Sequence, residues 1–204
     1  MSAARDDTRH WENWDRPGVA SAIDAYWMKS AFEANARKET VEDIAEFFDP
    51  KTDHLYEVGC GSGLIGVELQ KRGFTYDGGD VSEEMRKIGE ARLGRKLDAI
   101  DVLDLEGSRE NVICIHVLQH LPGFYEAIEQ LCRFASRRLY VVTWGSALSF
   151  NRIRFSEPEG NPGGAARFYD NTYSLGGLAG AMSRATGRKV DARYLSGKSV
   201  RLTC

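Results

Sequence analysis

Apolar positions along this chain follow two alternating rhythms. Short apolar runs near 54–58, 75–80, 97–101, 111–116 and 138–144 are separated by stretches whose apolar residues recur every three or four positions. The first pattern reads as a buried strand and the second as a helix lying on a sheet. Leu64, Ile65, Val67 and Leu69 begin one helix that Gly73 closes, Ser82 caps a second holding Met85 and Ile88, and Phe124, Ile128, Leu131 and Ala135 mark a third. The alternation predicts a doubly wound α/β fold, a mostly parallel sheet with helices on both faces.

The flanks keep other patterns. Residues 1–50 carry three of the four tryptophans (Trp11, Trp14, Trp27) and end in an amphipathic helix with Val41, Ile44, Ala45 and Phe48 on one face. Thr40 and Asp43 stand at capping spacing there, and Pro50 is the stop. Residues 145–173 lose the rhythm: Gly145, Pro158, Gly160, Pro162, Gly163 and Gly164 lie among Phe150, Phe155, Phe168 and Tyr169, which predicts an irregular loop or flap. A helix over 174–187 follows, ended by Gly187. The alternating runs Val190/Ala192/Tyr194 and Val200/Leu202, joined through Ser196-Gly197, then predict an antiparallel hairpin that completes the sheet. The expected organisation is one domain over 1–204: a helical cap (1–50), a ligand-binding core (51–144), a substrate-side loop (145–173), and a terminal helix and hairpin (174–204).

Composition narrows the function classes. A length of 204 residues suits one domain with one core. With 27 basic and 30 acidic residues the net charge is −3, so no overall positive field draws nucleic acid or an anionic membrane. The start has no apolar signal core and no apolar stretch of about 18 residues occurs, so a cytoplasmic protein that neither crosses nor binds a membrane is expected. Cys60, Cys114, Cys132 and Cys204 are scattered with no Cys-x-x-Cys pair, which suits reduced thiols better than a disulfide frame or a zinc site.

The most informative segment is Glu57-Val58-Gly59-Cys60-Gly61-Ser62-Gly63, directly after a strand and before a helix. Three glycines in five residues permit positive φ and let a ligand lie against bare backbone, while the helix start offers unpaired N–H groups. Gly61-Ser62-Gly63-Leu64-Ile65-Gly66 also satisfies the dinucleotide pattern G-x-G-x-x-G, with Asp80 further on. Glu57 separates the two readings, because an acid at the strand's end favours a cationic or amino group and repels a pyrophosphate. Asp80 ends the next strand, where a carboxylate can accept both hydroxyls of a ribose, and Asp101 is expected to end the third. Three acids then ring one crevice.

From about residue 38 onward the chain resembles the class I, Rossmann-like S-adenosylmethionine-dependent methyltransferases, in particular those acting on small molecules. The family's E/D-x-G-x-G-x-G signature is met by Glu57 to Gly63, its G-x-D-x-S segment by Gly78 to Ser82, its D-x-x-x-L segment by Asp101 to Leu105, and its V-L-x-H-L string by Val117 to Leu121. The resemblance implies S-adenosylmethionine as methyl donor and a sheet order of 3-2-1-4-5-7-6. It implies that Gly59, Cys60, Gly61, Ser62 and Gly63 line the methionine part with Glu57 nearby, and that Asp80 holds the ribose. Val81 and Met85 would lie beside the adenine, Asp101 and Val102 at its edge, and His116 and Val117 by the sulfonium. Where the family often has a polar residue and then an acid at the end of the fourth strand, this chain has Ile115 and His116.

Methyl transfer from a sulfonium is an in-line displacement in which the protein aligns the partners and excludes water. A hydroxyl acceptor also gains from a base, and histidine suits that task near neutral pH. His116 and His120 are the catalytic candidates, each with a second reading: His120 as a histidine that shapes its turn, His116 as packing beside the donor. Their spacing lacks the glutamate of H-E-x-x-H, so no metal is expected, and His10 and His54 read as surface or packing residues. Acceptor contacts are expected from Trp11, Trp14, Tyr26, Trp27, Trp144, Phe150 and Phe168, with Arg152, Arg154 and Arg167 as possible anion binders. A small-molecule acceptor, such as a secondary metabolite or a sugar, methylated on O or N is the reading these features favour. The alternatives are an RNA, DNA or protein methyltransferase, a non-catalytic binder of the donor, and a dinucleotide oxidoreductase.

Overall fold

The computed structural model describes residues 10–16, 18–147, 151, 155–156, 168–195, 197 and 199–204. Phe150, Arg152, Arg154, Pro158, Gly160, Pro162, Gly163, Gly164, Arg167 and Ser196, named above, lie outside the described residues. Strands β1 (His54–Val58), β2 (Thr75–Asp80), β3 (Asp98–Ala99), β4 (Arg109–Ile115) and β5 (Ala135–Ser146) run parallel to one another. Three short strands follow, β6 (Phe155–Ser156), β7 (Phe168–Tyr169) and β8 (Tyr173–Ser174), and then the hairpin of β9 (Asp191–Tyr194) and β10 (Ser199–Thr203). The sheet order is β3-β2-β1-β4-β5-β10-β9, with β10 antiparallel to β5 and β9. That is the expected 3-2-1-4-5-7-6 arrangement, counting the hairpin strands as six and seven.

Helices α1 (Val19–Lys29), α2 (Ala31–Phe47), α3 (Leu64–Lys71), α4 (Glu83–Leu93), α5 (Tyr125–Phe134) and α6 (Leu175–Thr186) flank the sheet. Successive strand residues point to opposite faces, and apolar side chains cover the sheet on both. Tyr56, Val58, Val112, Cys114 and Val141 meet Ile128, Leu131, Leu178 and Met182 of α5 and α6. Leu55, Tyr76, Ile113, Tyr140 and Val142 face the other way, onto Val41 and Ile44 of α2 and Leu69 of α3. Ser82 Oγ accepts the Met85 N–H at 3.1 Å, the expected cap of α4.

Three local expectations are corrected. The run 97–101 forms only a two-residue strand, and Asp101 lies beyond it. Its carboxylate accepts the Leu103 N–H at 2.9 Å and its carbonyl the Asp104 N–H at 3.0 Å, a turn that competes with the sheet ladder. Thr40 and Asp43 do not begin a helix, because α2 starts nine residues before Thr40, where Ser30 Oγ accepts the Glu33 N–H. Thr40 instead donates to Ala36 O, and Asp43 is buried against Tyr140, Arg193 and Arg201, tying α2 to the terminal hairpin. The loop expected over 145–173 also contains order: β6 pairs with β7, and β8 extends the sheet beside the end of β5.

Candidate active site

The site is assembled at the carboxyl ends of β1, β2 and β4, where the glycine segment, Asp80 and His116 come together. The glycine segment crosses from β1 to α3 with Gly59, Gly61 and Gly63 all at positive φ, between +52° and +76°. Among the described residues, a side chain at Gly61 would meet only Trp27 Cζ3, at 3.9 Å, which leaves room there for a ligand against the backbone. Ser62 Oγ is buried beside it with no hydrogen-bond partner among the described residues. Asp80 braces the same loop, accepting the Gly61 N–H at 2.7 Å and the Ser82 N–H at 2.9 Å.

Glu57 is buried beneath the loop rather than open to solvent, at 2% exposure. Tyr76 donates its hydroxyl to Glu57 Oε2 at 2.5 Å. Burial pushes the Glu57 carboxyl up to about 8, reinforced by the Asp80 charge and opposed by the Tyr76 hydrogen bond. The Tyr76 ring reaches this place because position 66 is glycine: a Cβ there would stand 2.4 Å from the ring. Burial likewise raises the Asp80 carboxyl, against the two backbone N–H bonds it accepts. Arg86 donates to the carbonyls of Asp80 and Val81, holding the end of β2 in place.

A helical lid closes the crevice. Residues 10–16 and α1 form a small apolar cluster in which Val19, Ala20 and Ile23 pack on Met85 and Phe168, with Trp14 and Trp27 against it. Asp15 is anchored to the start of α4, accepting from Ser82 Oγ at 2.6 Å and the Glu84 N–H at 3.1 Å. Asp24 of α1 receives both guanidinium nitrogens of Arg92, at 3.0 and 2.8 Å, and Arg92 also donates to the Ser62 carbonyl. One arginine thus joins the lid to the glycine segment. Sequence reasoning missed Asp15, Asp24 and Arg92, because partners 67 or 68 residues apart leave no periodic trace, and it missed the roles of Tyr76 and Arg86, whose contacts with Glu57 and with the end of β2 follow no helical or strand period.

Beyond β4 stand the two histidines. His116 takes φ +54°, the only non-glycine residue with positive φ among those described, while its N–H still donates to Val142 O at 2.8 Å. Such backbone strain concentrates where a side chain must be aimed. His120 Nδ1 lies 2.7 Å from Tyr169 O. A carbonyl only accepts, so Nδ1 carries the hydrogen and the neutral ring's lone pair is on Nε2. The His120 ring is edge-on to Trp14 at 5.5 Å and to Trp144 at 6.2 Å, and Trp14 meets Phe168 at 4.3 Å.

Of the expected site residues, the structure brings together Glu57, Gly59, Cys60, Gly61, Ser62, Gly63, Asp80 and Val117, since a Cβ on Gly59 would reach Val117 Cγ2. Met85 is 2% exposed beneath α1, and Val102 lies in the core beside Ile100 and Leu103. Asp101 is tied into its own turn. Of the aromatic pool, Trp14 and Trp144 contact His120, and Trp27 and Phe168 contact Trp14; among the described residues Tyr26 and Trp11 take no part in these ring contacts. His54 lies elsewhere, paired with Asp77 at 2.7 Å. Among the described residues, no group of three or more His, Cys, Asp and Glu is placed to hold a metal ion, and no helix is long and apolar enough to cross a membrane.

A family described as a methyltransferase domain matches residues 32–185. A ubiquinone biosynthesis O-methyltransferase of Idiomarina loihiensis is 33% identical over 102 residues, 42% of this chain and 41% of that protein. A Coxiella burnetii protein of the same name is 29% identical over 80 residues, 35% of this chain and 34% of its own length. The chain therefore spans about a third to two fifths of these curated relatives. Among solved structures, the magnesium protoporphyrin IX methyltransferase of Synechocystis PCC 6803 with bound SAM is similar over 100% of this chain and 98% of that one, at 18% identity and a TM-score of 0.72. A Burkholderia thailandensis 1,6-didemethyltoxoflavin-N1-methyltransferase, bound to 1,6-didemethyltoxoflavin and S-adenosylhomocysteine, covers 100% and 91% at 15% identity and a TM-score of 0.68.

Proposed function

The chain belongs to the methyltransferase-domain family, and from that premise we propose that it is a cytoplasmic S-adenosylmethionine-dependent enzyme methylating an O or N atom of a small-molecule acceptor. The observation that carries this reading is the cradle at Gly61, open on its ligand side, braced by Asp80 and underlain by the buried Glu57 carboxyl. Its donor set suits a nucleoside joined to an amino acid. The buried Ser62 hydroxyl, with no partner among the described residues, suits the amino-acid part, since the N–H groups of Gly59, Cys60, Gly61 and Gly63 are already spent on Gly79 O, Asp80 and Cys60 O, and Asp80 suits the ribose hydroxyls. Glu57, Gly59, Cys60, Gly61, Ser62, Gly63, Asp80, Val81, Met85, His116 and Val117 are the residues assigned to hold it, with Asp101 and Val102 at the margin. When bound, the donor supplies a methyl carbon already activated on a sulfonium.

The work left to the chain is alignment, exclusion of water and removal of one proton. Alignment falls to the glycine segment and to the lid that Asp15, Asp24 and Arg92 fasten over it. Trp14, Trp27, Trp144 and Phe168 make the wall facing the acceptor, and flat apolar ring faces favour a planar, ring-bearing molecule. His120 takes the acceptor's proton on Nε2, while Tyr169 O holds its Nδ1–H. His116 shapes the wall on the β4 side. Names among the relatives and neighbours support the choice: a ubiquinone biosynthesis O-methyltransferase and a 1,6-didemethyltoxoflavin-N1-methyltransferase with 1,6-didemethyltoxoflavin bound. Incubation with methyl-labelled donor and a panel of phenols and heteroaromatic amines tests the reading. Transfer of label to one acceptor class supports it, and donor binding without turnover of any acceptor would favour a non-catalytic role.

A further inference from the structure

The segment Tyr169–Tyr173 contacts the His120 turn through four hydrogen bonds, two of which meet at the Leu121 carbonyl. Tyr169 O accepts from His120 Nδ1 at 2.7 Å. The Asn171 backbone N–H donates to Gln119 O at 2.9 Å, so the strand-like segment is laced to the turn on one side. On the other, Asn171 Nδ2 donates to Leu121 O at 2.7 Å and to the Tyr173 hydroxyl at 3.0 Å, and that hydroxyl donates to Leu121 O at 2.8 Å. Beneath the turn, Thr143 Oγ1 of β5 donates to Gln119 Oε1 at 2.9 Å.

Apart from the half-buried His120, the side chains of this network are out of water: Asn171 and Thr143 are 0% exposed, Gln119 and Tyr173 1%. Buried polar groups are costly unless each is satisfied, and here donors and acceptors pair off closely. The packing of α5 and α6 alone would be served as well by apolar residues at these places. What the polar arrangement adds is direction. It grips the residue before His120 and the residue after it by their carbonyls, and His120 itself by its ring.

We propose that Asn171 and Tyr173 are positioning residues that fix the orientation and tautomer of His120, keeping the hydrogen on Nδ1 against the Tyr169 carbonyl. This rests on the reading of His120 as the proton acceptor. It also makes the last residues of the expected substrate-side loop, 145–173, part of the proton-transfer apparatus, since Tyr169, Asn171 and Tyr173 lie within it.

The test uses the full chain with Asn171→Ala and Tyr173→Phe, the second keeping its ring in the core. Two-bond 15N–1H correlations of the imidazoles report the tautomer without any acceptor, and S-adenosylhomocysteine affinity reports the donor side. The wild-type protein is expected to show one Nδ1–H tautomer for His120. Both variants should show a mixture, a kcat lowered about tenfold on any acceptor found, and unchanged affinity for S-adenosylhomocysteine. A folded variant that keeps the single tautomer and full kcat overturns the proposal, and if Asn171→Ala does not fold, Tyr173→Phe decides. Should His120→Gln retain turnover while the two variants still mix the tautomers, the base assignment fails and the positioning stands.

Discussion

Gly59 and Val117 approach so closely that a Cβ at position 59 would lie 2.2 Å from Val117 Cγ2. The first glycine of the signature is therefore fixed by the residue following His116, as well as by its φ of +76°. Gly59→Ala should lose about 1–2 kcal/mol to left-handed backbone and about 1–3 kcal/mol to overpacking. Thermal unfolding of Gly59→Ala alone and with Val117→Ala separates the two, because the double variant recovers only the packing share. Full tolerance of the single variant would mean that the loop is not held as described.

The Asp24–Arg92 pair makes a different prediction. Its side chains are 14% and 21% exposed, and hydrogen bonds between charged groups at such a site are worth about 1.5–3 kcal/mol. Arg92→Ala should speed donor release, followed by tryptophan fluorescence from Trp27 beside the glycine segment. Arg92→Lys should not restore the wild-type rate, since one ammonium cannot reproduce a two-pronged contact.

Glu57 gives the pH dependence. Its carboxyl titrates at about 8 in the folded chain and at the ordinary 4.5 when unfolded. Between these values the folded state holds a proton that the unfolded state has lost, so stability falls as pH rises through the window. Glu57→Gln removes the effect: its melting temperature should gain on the wild type from about pH 4.5 to 8 and run parallel above. Near pH 7, binding of a cationic amino group should release a proton, visible as a buffer-dependent heat in calorimetry.

His120→Gln should lower kcat for a hydroxyl acceptor by about 10²–10⁴ and abolish the acid limb of its pH profile. Affinity for S-adenosylhomocysteine should stay at the wild-type level. Equal loss of donor affinity would make His120 part of the donor cradle instead.

Much of the architecture is legible in the pattern of apolar residues. Strands β1 and β2 begin and end where the runs predict, with Gly59 directly after β1 and Asp80 closing β2. The glycine segment is equally plain. Asp101 shows where such reading stops, since a local hydrogen bond to Leu103 outweighs the apolar run before it. Asp43 shows another limit: it has the look of a cap, and only the fold brings Arg193 and Arg201 to it from the far end of the chain. The lid fastening and the Asn171 network are pairings of single polar residues across long separations, which no periodicity records.

Calorimetric titration of the protein with S-adenosylmethionine tests the central claim most directly. Saturable binding at one site, weakened by Gly59→Ala and by Asp80→Ala and competed by S-adenosylhomocysteine, is the predicted result. No heat with the methyl donor, or saturation by a nicotinamide dinucleotide in its place, would contradict it.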